Sequence, residues 1–227
     1  MSTERQPAGI PVGGQFAPTT HSEPQVALAK PVTPFHDADG TDWEFGGDEY
    51  TDVYTSHVGG IAAGVTTDVR EEGARVKVID HRGTRPLVIS DQTHHDSLDE
   101  AKAHAKAVRE RASRYEHNHI SEGSLSPWGK LQGHTPIAVG IDAVWTAGHG
   151  GFKLSPERAE EIDPAWREPA GWYGQDCAWA KAFITHHQEF LPFDVEHAHK
   201  EARKYYPKEY AEIVGKNPAK YGLTALD

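Results

Sequence analysis

The side chains best suited to chemistry are a cysteine and a histidine in the second half of the sequence. Cys177 is the only cysteine, and His149 is followed by two glycines. A thiolate is a strong nucleophile, and an imidazole is the usual base that activates it. If Asp176 begins a helix, Cys177 lies at a helix N-terminus, where the dipole lowers the pKa of a thiol. One interpretation is therefore a hydrolase or transferase with Cys177 as nucleophile and His149 as base. Asp176 or Gln175 would orient the base or stabilise an oxyanion.

A second interpretation makes the same stretch a binding surface. Five of the six tryptophans lie in this half, and two glycine-rich turns are predicted at 148–151 and 171–174. Glycines in such turns can adopt left-handed conformations, and Trp and Tyr dominate the energetics of interfaces. The alternative is packing, because a chain with one methionine needs tryptophans in its core. We expect Trp145 and Trp179 in the core and Trp172 at the surface. The candidate binding residues here are Gly150, Gly151, Arg158, Trp172, Tyr173 and Gln175.

Metal binding is a third possibility, because the sequence contains 15 histidines, several of them in pairs. His197 and His199 are two positions apart on a predicted helix. Their side chains therefore point about 200° apart and cannot share an ion. The sequence holds no His-Glu-x-x-His and no Cys-x-x-Cys motif, which are the stronger signals for zinc. We predict neither a metal site nor a cofactor.

Composition limits the classes of function. The 227 residues carry a formal net charge of -11. A protein that binds duplex nucleic acid needs a basic face, so this charge argues against one, and we expect a protein partner. One cysteine allows no internal disulfide, and there is neither a signal segment nor a run of about 18 apolar residues. We therefore expect no membrane span and a cytoplasmic location. The oligomeric state is left open.

The pattern of elements predicts an α+β protein. Residues 1–42 are rich in Pro, Gly, Ser and Thr, which predicts a disordered tail. Residues 43–115 predict a small antiparallel sheet with a packed helix, because alternating segments such as 74–80 precede a capping box at Ser97–Glu100. The remaining expected segments are a linker at 116–125, a mixed domain with short strands and two to four helices at 126–215, and a loose tail at 216–227.

Local signals place the candidate residues on elements. Alternation at 141–145 predicts a strand with Trp145 on the core side. Ser155, followed by a proline, predicts the start of a helix that ends at Asp163. We expect the turn at 171–174 to lead into a second helix. Asp194 predicts the cap of a further helix, which a proline at 207 ends.

The N-terminal segment resembles a known sequence family. Residues 5–17 read RQPAGIPVGGQFA. They resemble a Pro-Ala-Gly-x-Pro-x-Gly-Gly-Gln-Phe segment that recurs in proteins of actinobacteria, their phages and their plasmids. A turn-rich peptide with one aromatic anchor, Phe16, can order on a partner, or it can be a plain linker. Phe16 is therefore a further candidate binding residue. The predicted unit at 43–115 also resembles small phage domains, which usually bind or oligomerise.

A second resemblance lies within residues 126–179. Its motifs are Ser126-Pro127-Trp128-Gly129, His149-Gly150-Gly151, Leu154-Ser155-Pro156-Glu157-Arg158 and Trp172-Tyr173-Gly174-Gln175-Asp176-Cys177. In this order they resemble a domain of unknown function found in phage, prophage and plasmid proteins. The chain departs from that pattern at Gly174-Gln175, where the family usually has two glutamates, and at Ala147, where it has proline. Any acid–base or metal role of those glutamates is therefore not expected here.

These observations predict an accessory protein of an actinobacterial phage or mobile element that binds a host or phage macromolecule. A place in the virion and an action against host defence both remain open. The runner-up is the enzyme that uses Cys177 and His149.

Overall fold

The protein folds into two sheets, each with its own helices, and the computed structural model describes residues 30–37, 41–68 and 72–223. The first sheet has six antiparallel strands whose order in space is their order in the chain. Each strand is joined to its neighbour by a short connection, so every pairing in this sheet is local. The strands are β1 (Lys30–His36), β2 (Asp42–Gly47), β3 (Thr51–Val58), β4 (Ile61–Asp68), β5 (Ala74–Asp80) and β6 (Leu87–His95).

One helix covers this sheet. α1 (Leu98–Ser113) begins at Ser97, whose Oγ accepts a hydrogen bond from the backbone N–H of Glu100. It packs against β4, β5 and β6. Ala101 and Ala105 are fully buried at this contact, and their small side chains let the helix lie close to the strands. The capping box and the packed helix that the sequence predicted are therefore confirmed.

The tail predicted at 1–42 is too long, because β1 lies inside it and pairs with β2. The prolines in this strand, including Pro34, hid it from the sequence pattern. An edge strand tolerates proline because its outer N–H groups need no partner in the sheet. Phe16 lies outside the described residues.

The second half of the chain forms a smaller antiparallel sheet with the order β12-β11-β10-β9, beside a two-stranded hairpin, β7 and β8. The described residues of this half also form four α-helices and three short 3-10 helices. The strands are β7 (Leu125–Ser126), β8 (Gly129–Lys130), β9 (Gly133–Ala138), β10 (Ile141–Trp145), β11 (Gly150–Leu154) and β12 (Trp172–Gly174). The helices are α2 (Pro156–Glu160), α3 (Trp179–Thr185), α4 (Pro192–Tyr205) and α5 (Pro207–Ile213), with 3-10 turns at Pro169–Gly171, His187–Glu189 and Pro218–Tyr221.

This half confirms the predicted α+β class, with short strands and four α-helices, but several boundaries differ. Of the segment predicted as a turn at 171–174, Gly171 does have a positive φ, whereas Trp172–Gly174 form the edge strand β12. α2 starts at its proline after Ser155, as predicted, yet it ends at Glu160. α4 begins at Pro192, so Asp194 lies in its first turn and does not cap it. The loose tail predicted from 216 is shorter, because Tyr221 is buried in the core of this half.

The segment predicted as a linker at 116–125 is anchored to both halves. His117 Nε2 lies 3.2 Å from Asp80 Oδ2 at the end of β5. Asn118 Nδ2 donates to Asp142 Oδ2 at 2.8 Å on β10. These contacts hold the two sheets together through side chains that a composition-based reading assigns to a loop. Within the residues that the structure describes, no helix combines the length and the apolar character needed to cross a bilayer.

Candidate functional site

The two faces of the second sheet differ, and the difference defines the candidate site. Cross-strand partners share a face of an antiparallel sheet, and neighbours along a strand alternate. One face carries Ile141, Leu154 and Tyr173, all fully buried. It packs against the helices of this half. The opposite face, which we call the polar face, carries Gly151, Gly174 and Trp172, with His149 beside them.

Two paired glycines, Gly151 and Gly174, leave a flat area without side chains on the polar face, which we call the glycine platform. Gly151 and Gly174 are cross-strand partners on β11 and β12. The ring of Trp128 lies where their side chains would be: a Cβ on Gly151 would come 2.7 Å from Trp128 Cη2. The glycines after His149 are thus strand residues outside the set with positive φ. The prediction of a left-handed turn is wrong, because these glycines serve close packing and not a backbone reversal. Gly151 admits the indole of Trp128, and a Cβ on Gly150 would come 2.6 Å from Gln175 Oε1.

Three aromatic rings gather over the platform. The Trp128 ring centroid lies 4.8 Å from that of His149 and 5.9 Å, edge to face, from that of Trp172. All three residues are partly exposed. We call Trp128, His149 and Trp172 the aromatic cluster. The edge-to-face geometry of Trp128 and Trp172 is one that aromatic pairs prefer, and the partial exposure of all three residues leaves the cluster accessible to a partner.

Charged groups border the aromatic cluster. Asp176 Oδ2 lies 3.8 Å from His149 Nε2, and the Asp176 side chain is 81% exposed. This distance is longer than a hydrogen bond, so the carboxylate does not fix the imidazole. On the other side, Lys153 Nζ lies 5.5 Å from the Trp172 ring centre and donates to the backbone carbonyl of Leu154. Burial lowers the pKa of Lys153, while the nearby Asp142 and Glu157 act in the opposite direction.

A carboxylate–imidazole pair that sequence reasoning missed lies on the same face. Asp142 is buried, and its Oδ1 lies 2.9 Å from His134 Nδ1 on β9. Its other oxygen accepts from Asn118. The hairpin register brings the pair together, because His134 faces Val144 across the strands and Asp142 is two residues before it. Recognising the hairpin of β9 and β10 in the sequence would have found this signal.

Cys177 has different partners from His149. Its Sγ lies 3.0 Å from the hydroxyl oxygen of Tyr206. Burial and then the hydrogen bond with Cys177 raise the pKa of Tyr206, so the phenol stays protonated and can donate to the sulfur. Lys181 Nζ lies 4.1 Å from the centre of the Tyr206 ring and pairs with Glu168. Cys177 lies in the turn before α3, which begins two residues later at Trp179. The predicted position of Cys177 at a helix N-terminus is therefore displaced by two residues.

The other predicted binding residues divide into accessible and internal groups. Gln175 is exposed, and its backbone N–H donates to Gly150 O at 3.0 Å. Tyr173 is fully buried, and its hydroxyl accepts from the backbone N–H of Glu168. Arg158 is 2% exposed. Its guanidinium is buried and donates to Val139 O and to Glu189 Oε1. Arg158 therefore connects elements of the fold and is not accessible to a partner.

The histidines do not gather into a metal centre in the part of the chain that the structure describes, where no group of three or more potential ligands occurs. His197 is exposed and lies 3.8 Å from Glu201. His199 is buried: Nδ1 lies 2.8 Å from the Tyr210 hydroxyl and Nε2 lies 3.1 Å from Tyr221 O. As predicted, residues two apart on one helix point to opposite sides.

Comparison with known proteins places the aromatic cluster within a domain that has been defined but not functionally assigned. Residues 121–224 match the family model of a domain of unknown function, DUF7007. The matched span includes the whole second half from β7 to Leu223. A DNA ligase 2 of Pseudarthrobacter chlorophenolicus is 41% identical over 68 residues, which is 30% of this chain and 8% of the ligase. The chain thus spans a small part of the length of that curated relative. No solved structure matches the chain significantly.

Proposed function

We propose that the protein is an accessory protein of an actinobacterial phage or other mobile element, and that its polar face binds a protein of the host or the phage. The resemblance of four sequence motifs to phage and plasmid proteins supports the biological context. A role in the virion and a role against host defence are both compatible with this proposal. Ligase activity is not proposed, because the shared segment is 8% of the ligase's length.

One observation carries the proposal of binding: the aromatic cluster is partly exposed and packs on a glycine platform. Trp128 is locked between Gly151, His149 and Trp172. Interfaces place most of their binding energy in a few tryptophan, tyrosine and arginine side chains that lose little freedom on binding. An exposed carboxylate, Asp176, adds a polar rim. The chain's net charge of -11 favours a partner with a basic patch.

The enzyme with Cys177 as nucleophile remains the second candidate. The observation in its favour is the polar surroundings of the thiol, with Tyr206 at 3.0 Å and Lys181 nearby. Against it, the His149 imidazole faces Trp128 and Asp176, while the thiol faces Tyr206. A base must come within hydrogen-bonding reach of its nucleophile. The geometry therefore favours binding.

Affinity capture from lysates of an actinobacterial host tests the proposal. Immobilised wild type is compared with the variants Trp172→Ala, Cys177→Ala and Trp145→Ala. Trp145 is the matched control, because it is a partly exposed tryptophan on the opposite face of the same sheet. We expect a specific protein to be retained by wild type and by Trp145→Ala. Trp172→Ala should weaken its binding about 10-fold or more, which is the loss typical of a hot spot.

The variant Cys177→Ala separates the two candidates when capture and turnover of the captured partner are both followed. A binder keeps its partner when Cys177 is replaced by Ala, whereas a nucleophilic enzyme loses its reaction. Equal capture by Trp172→Ala and wild type, with circular dichroism confirming that both are folded, would refute the polar face as the binding surface.

A further inference from the structure

A cavity beside α4 is a candidate site that shares no residue with the aromatic cluster. Its volume is about 400 Å³, and small-molecule sites typically measure about 300–1,000 Å³. α4 forms one wall. The 3-10 helix at His187–Glu189 and residues 222–223 supply residues of the other, including His187 and Leu223.

The inner part of the cavity is apolar. Phe190, Val195 and Leu223 line it. Phe190 is fixed, because its ring stacks on Phe183 with centroids 3.6 Å apart. His199 also lines the cavity, but both of its nitrogens are occupied by Tyr210 and Tyr221. The ring of His199 therefore offers carbon atoms to a ligand and not a free donor.

The outer part of the cavity carries more positive than negative charge. Lys200 and Arg203 line it together with one acid, Glu196. Glu196 is already paired with Lys200 at 2.6 Å. The Arg203 guanidinium lies 5.1 Å from the centre of the Tyr210 ring, which orients it. This local excess of cations is unusual in a chain with 34 acidic and 23 basic residues.

We propose that the cavity binds a small amphiphilic anion, with its carboxylate, sulfonate or phosphate head at Arg203 and Lys200 and an apolar body against Phe190, Val195 and Leu223. A guanidinium fork matches the oxygens of such heads, and an arginine held over an aromatic ring loses little freedom on binding. Burying the apolar body contributes the remaining affinity.

A pair of fluorescent probes tests both halves of this proposal. 8-Anilino-1-naphthalenesulfonate is an aromatic anion, and N-phenyl-1-naphthylamine has the same ring system without the sulfonate. We expect the anion to bind the full chain saturably at one site and more tightly than the neutral probe. Arg203→Gln should weaken binding of the anion roughly 10-fold and leave the neutral probe unchanged, because a charge-assisted hydrogen bond contributes on that order.

Matched variants locate the site. Lys204 follows Arg203 on α4 but does not line the cavity, so Lys204→Gln should leave both probes unchanged. Leu223→Trp fills the apolar part and should abolish binding of both. Trp172→Ala, which tests the polar face, should retain both. The proposal is overturned if the anion does not bind saturably, if Arg203→Gln binds it like wild type, or if binding is lost in Trp172→Ala and kept in Leu223→Trp.

Discussion

At position 151 the side chain is a single hydrogen because two groups converge there. A Cβ would meet the backbone oxygen of Tyr173 and come 2.7 Å from Trp128 Cη2. The backbone oxygen belongs to β12 and cannot move without opening the pairing of β11 and β12. The sequence indicated that the glycines after His149 have a structural role, but it suggested the wrong one. A glycine required for a positive φ and a glycine required for close packing look the same in a sequence.

Replacing Gly151 by Ala should therefore lower the free energy of unfolding. Overpacking at a rigid site costs about 1–3 kcal/mol. Gly148→Ala is the control, because nothing lies within 4 Å of its added Cβ. Urea unfolding followed by tryptophan fluorescence measures both. Equal stability of Gly151→Ala and wild type would show that Trp128 does not lie on this platform.

His186 links stability to pH. It is buried, and its Nε2 lies 3.0 Å from Arg158 O. Burial, helped by the charge of Arg158, lowers the pKa of His186 to about 3. The unfolded chain takes up a proton near pH 6.5 and the folded chain does not. Stability is thus present above about pH 6.5 and is lost as the pH falls toward the folded pKa. Burial lowers the pKa of His199 as well, in the same direction.

We expect the unfolding free energy to fall between pH 6.5 and pH 5, with His186 contributing up to about 1.4 kcal/mol per pH unit. His186→Gln keeps a donor toward Arg158 O and should remove that share of the slope. His119 is exposed, and His119→Gln should leave the slope as in wild type. Urea unfolding at a series of pH values gives the slopes. An unchanged slope in His186→Gln would contradict a neutral, buried imidazole.

Trp145 shows where residue-level prediction stops. The alternation at 141–145 placed it on the core side of β10, and its cross-strand partners Gly133 and Gly150 share that side. Yet Trp145 is 43% exposed. The strand runs past the end of the core, and the ring lies over Gly133. The prediction of a core tryptophan is wrong because periodicity reports a face and not how far the covering elements reach.

Elements with strong local signals were predictable. β5 occupies the predicted residues, and the capping box marks the start of α1. Elements defined by their neighbours were not. β12 has three residues and exists because it pairs with β11, so its own sequence reads as a turn. β1 contains prolines and is held by β2.

The alanine face of α1 makes an element-scale prediction. Ala105 is fully buried between the helix and the sheet, while Ala103 is exposed. Ala105→Leu should cost about 1–3 kcal/mol of stability, because the helix must move away from β4 and β5. Ala103→Leu should change stability by less than about 0.5 kcal/mol. Thermal and urea unfolding by circular dichroism compares them. A neutral Ala105→Leu would mean that α1 is not packed closely on the strands.

At the scale of the molecule, one carboxylate joins the halves. Glu189 Oε1 accepts from Arg111 of α1 at 3.1 Å and from Arg158 of α2 at 3.0 Å. Arg158 also donates to Val139 O and stacks on Tyr115, 3.5 Å from its ring centre. Arg158, the last residue of the motif Leu154-Ser155-Pro156-Glu157-Arg158, thus connects the two halves. Sequence reasoning named Arg158 among the candidate binding residues, and only the fold shows that it is buried.

Glu189→Ala should weaken this connection. Removing one partner of a buried ion pair costs about 3–5 kcal/mol, because the remaining charges lose their compensation. Glu110, an exposed acid of α1 that pairs with Lys106, is the control, and Glu110→Ala should behave as wild type. Urea unfolding measures the loss of stability. Endoproteinase Glu-C should cut at the exposed Glu122 faster in Glu189→Ala than in wild type or Glu110→Ala. Similar cutting rates in all three proteins would show that the halves do not depend on Glu189.

The strictly sequential order of β1 to β6 has a consequence for synthesis. Each strand pairs with the strand that precedes it in the chain, so the sheet can form hairpin by hairpin as the chain leaves the ribosome. The helix that covers it, α1, is complete at residue 113. Yet Val139, fully buried, belongs to the core of this first half. The core of the first half therefore stays incomplete until Val139, in the turn after β9, has been synthesised. Complete folding of the first half thus depends on synthesis of the start of the second.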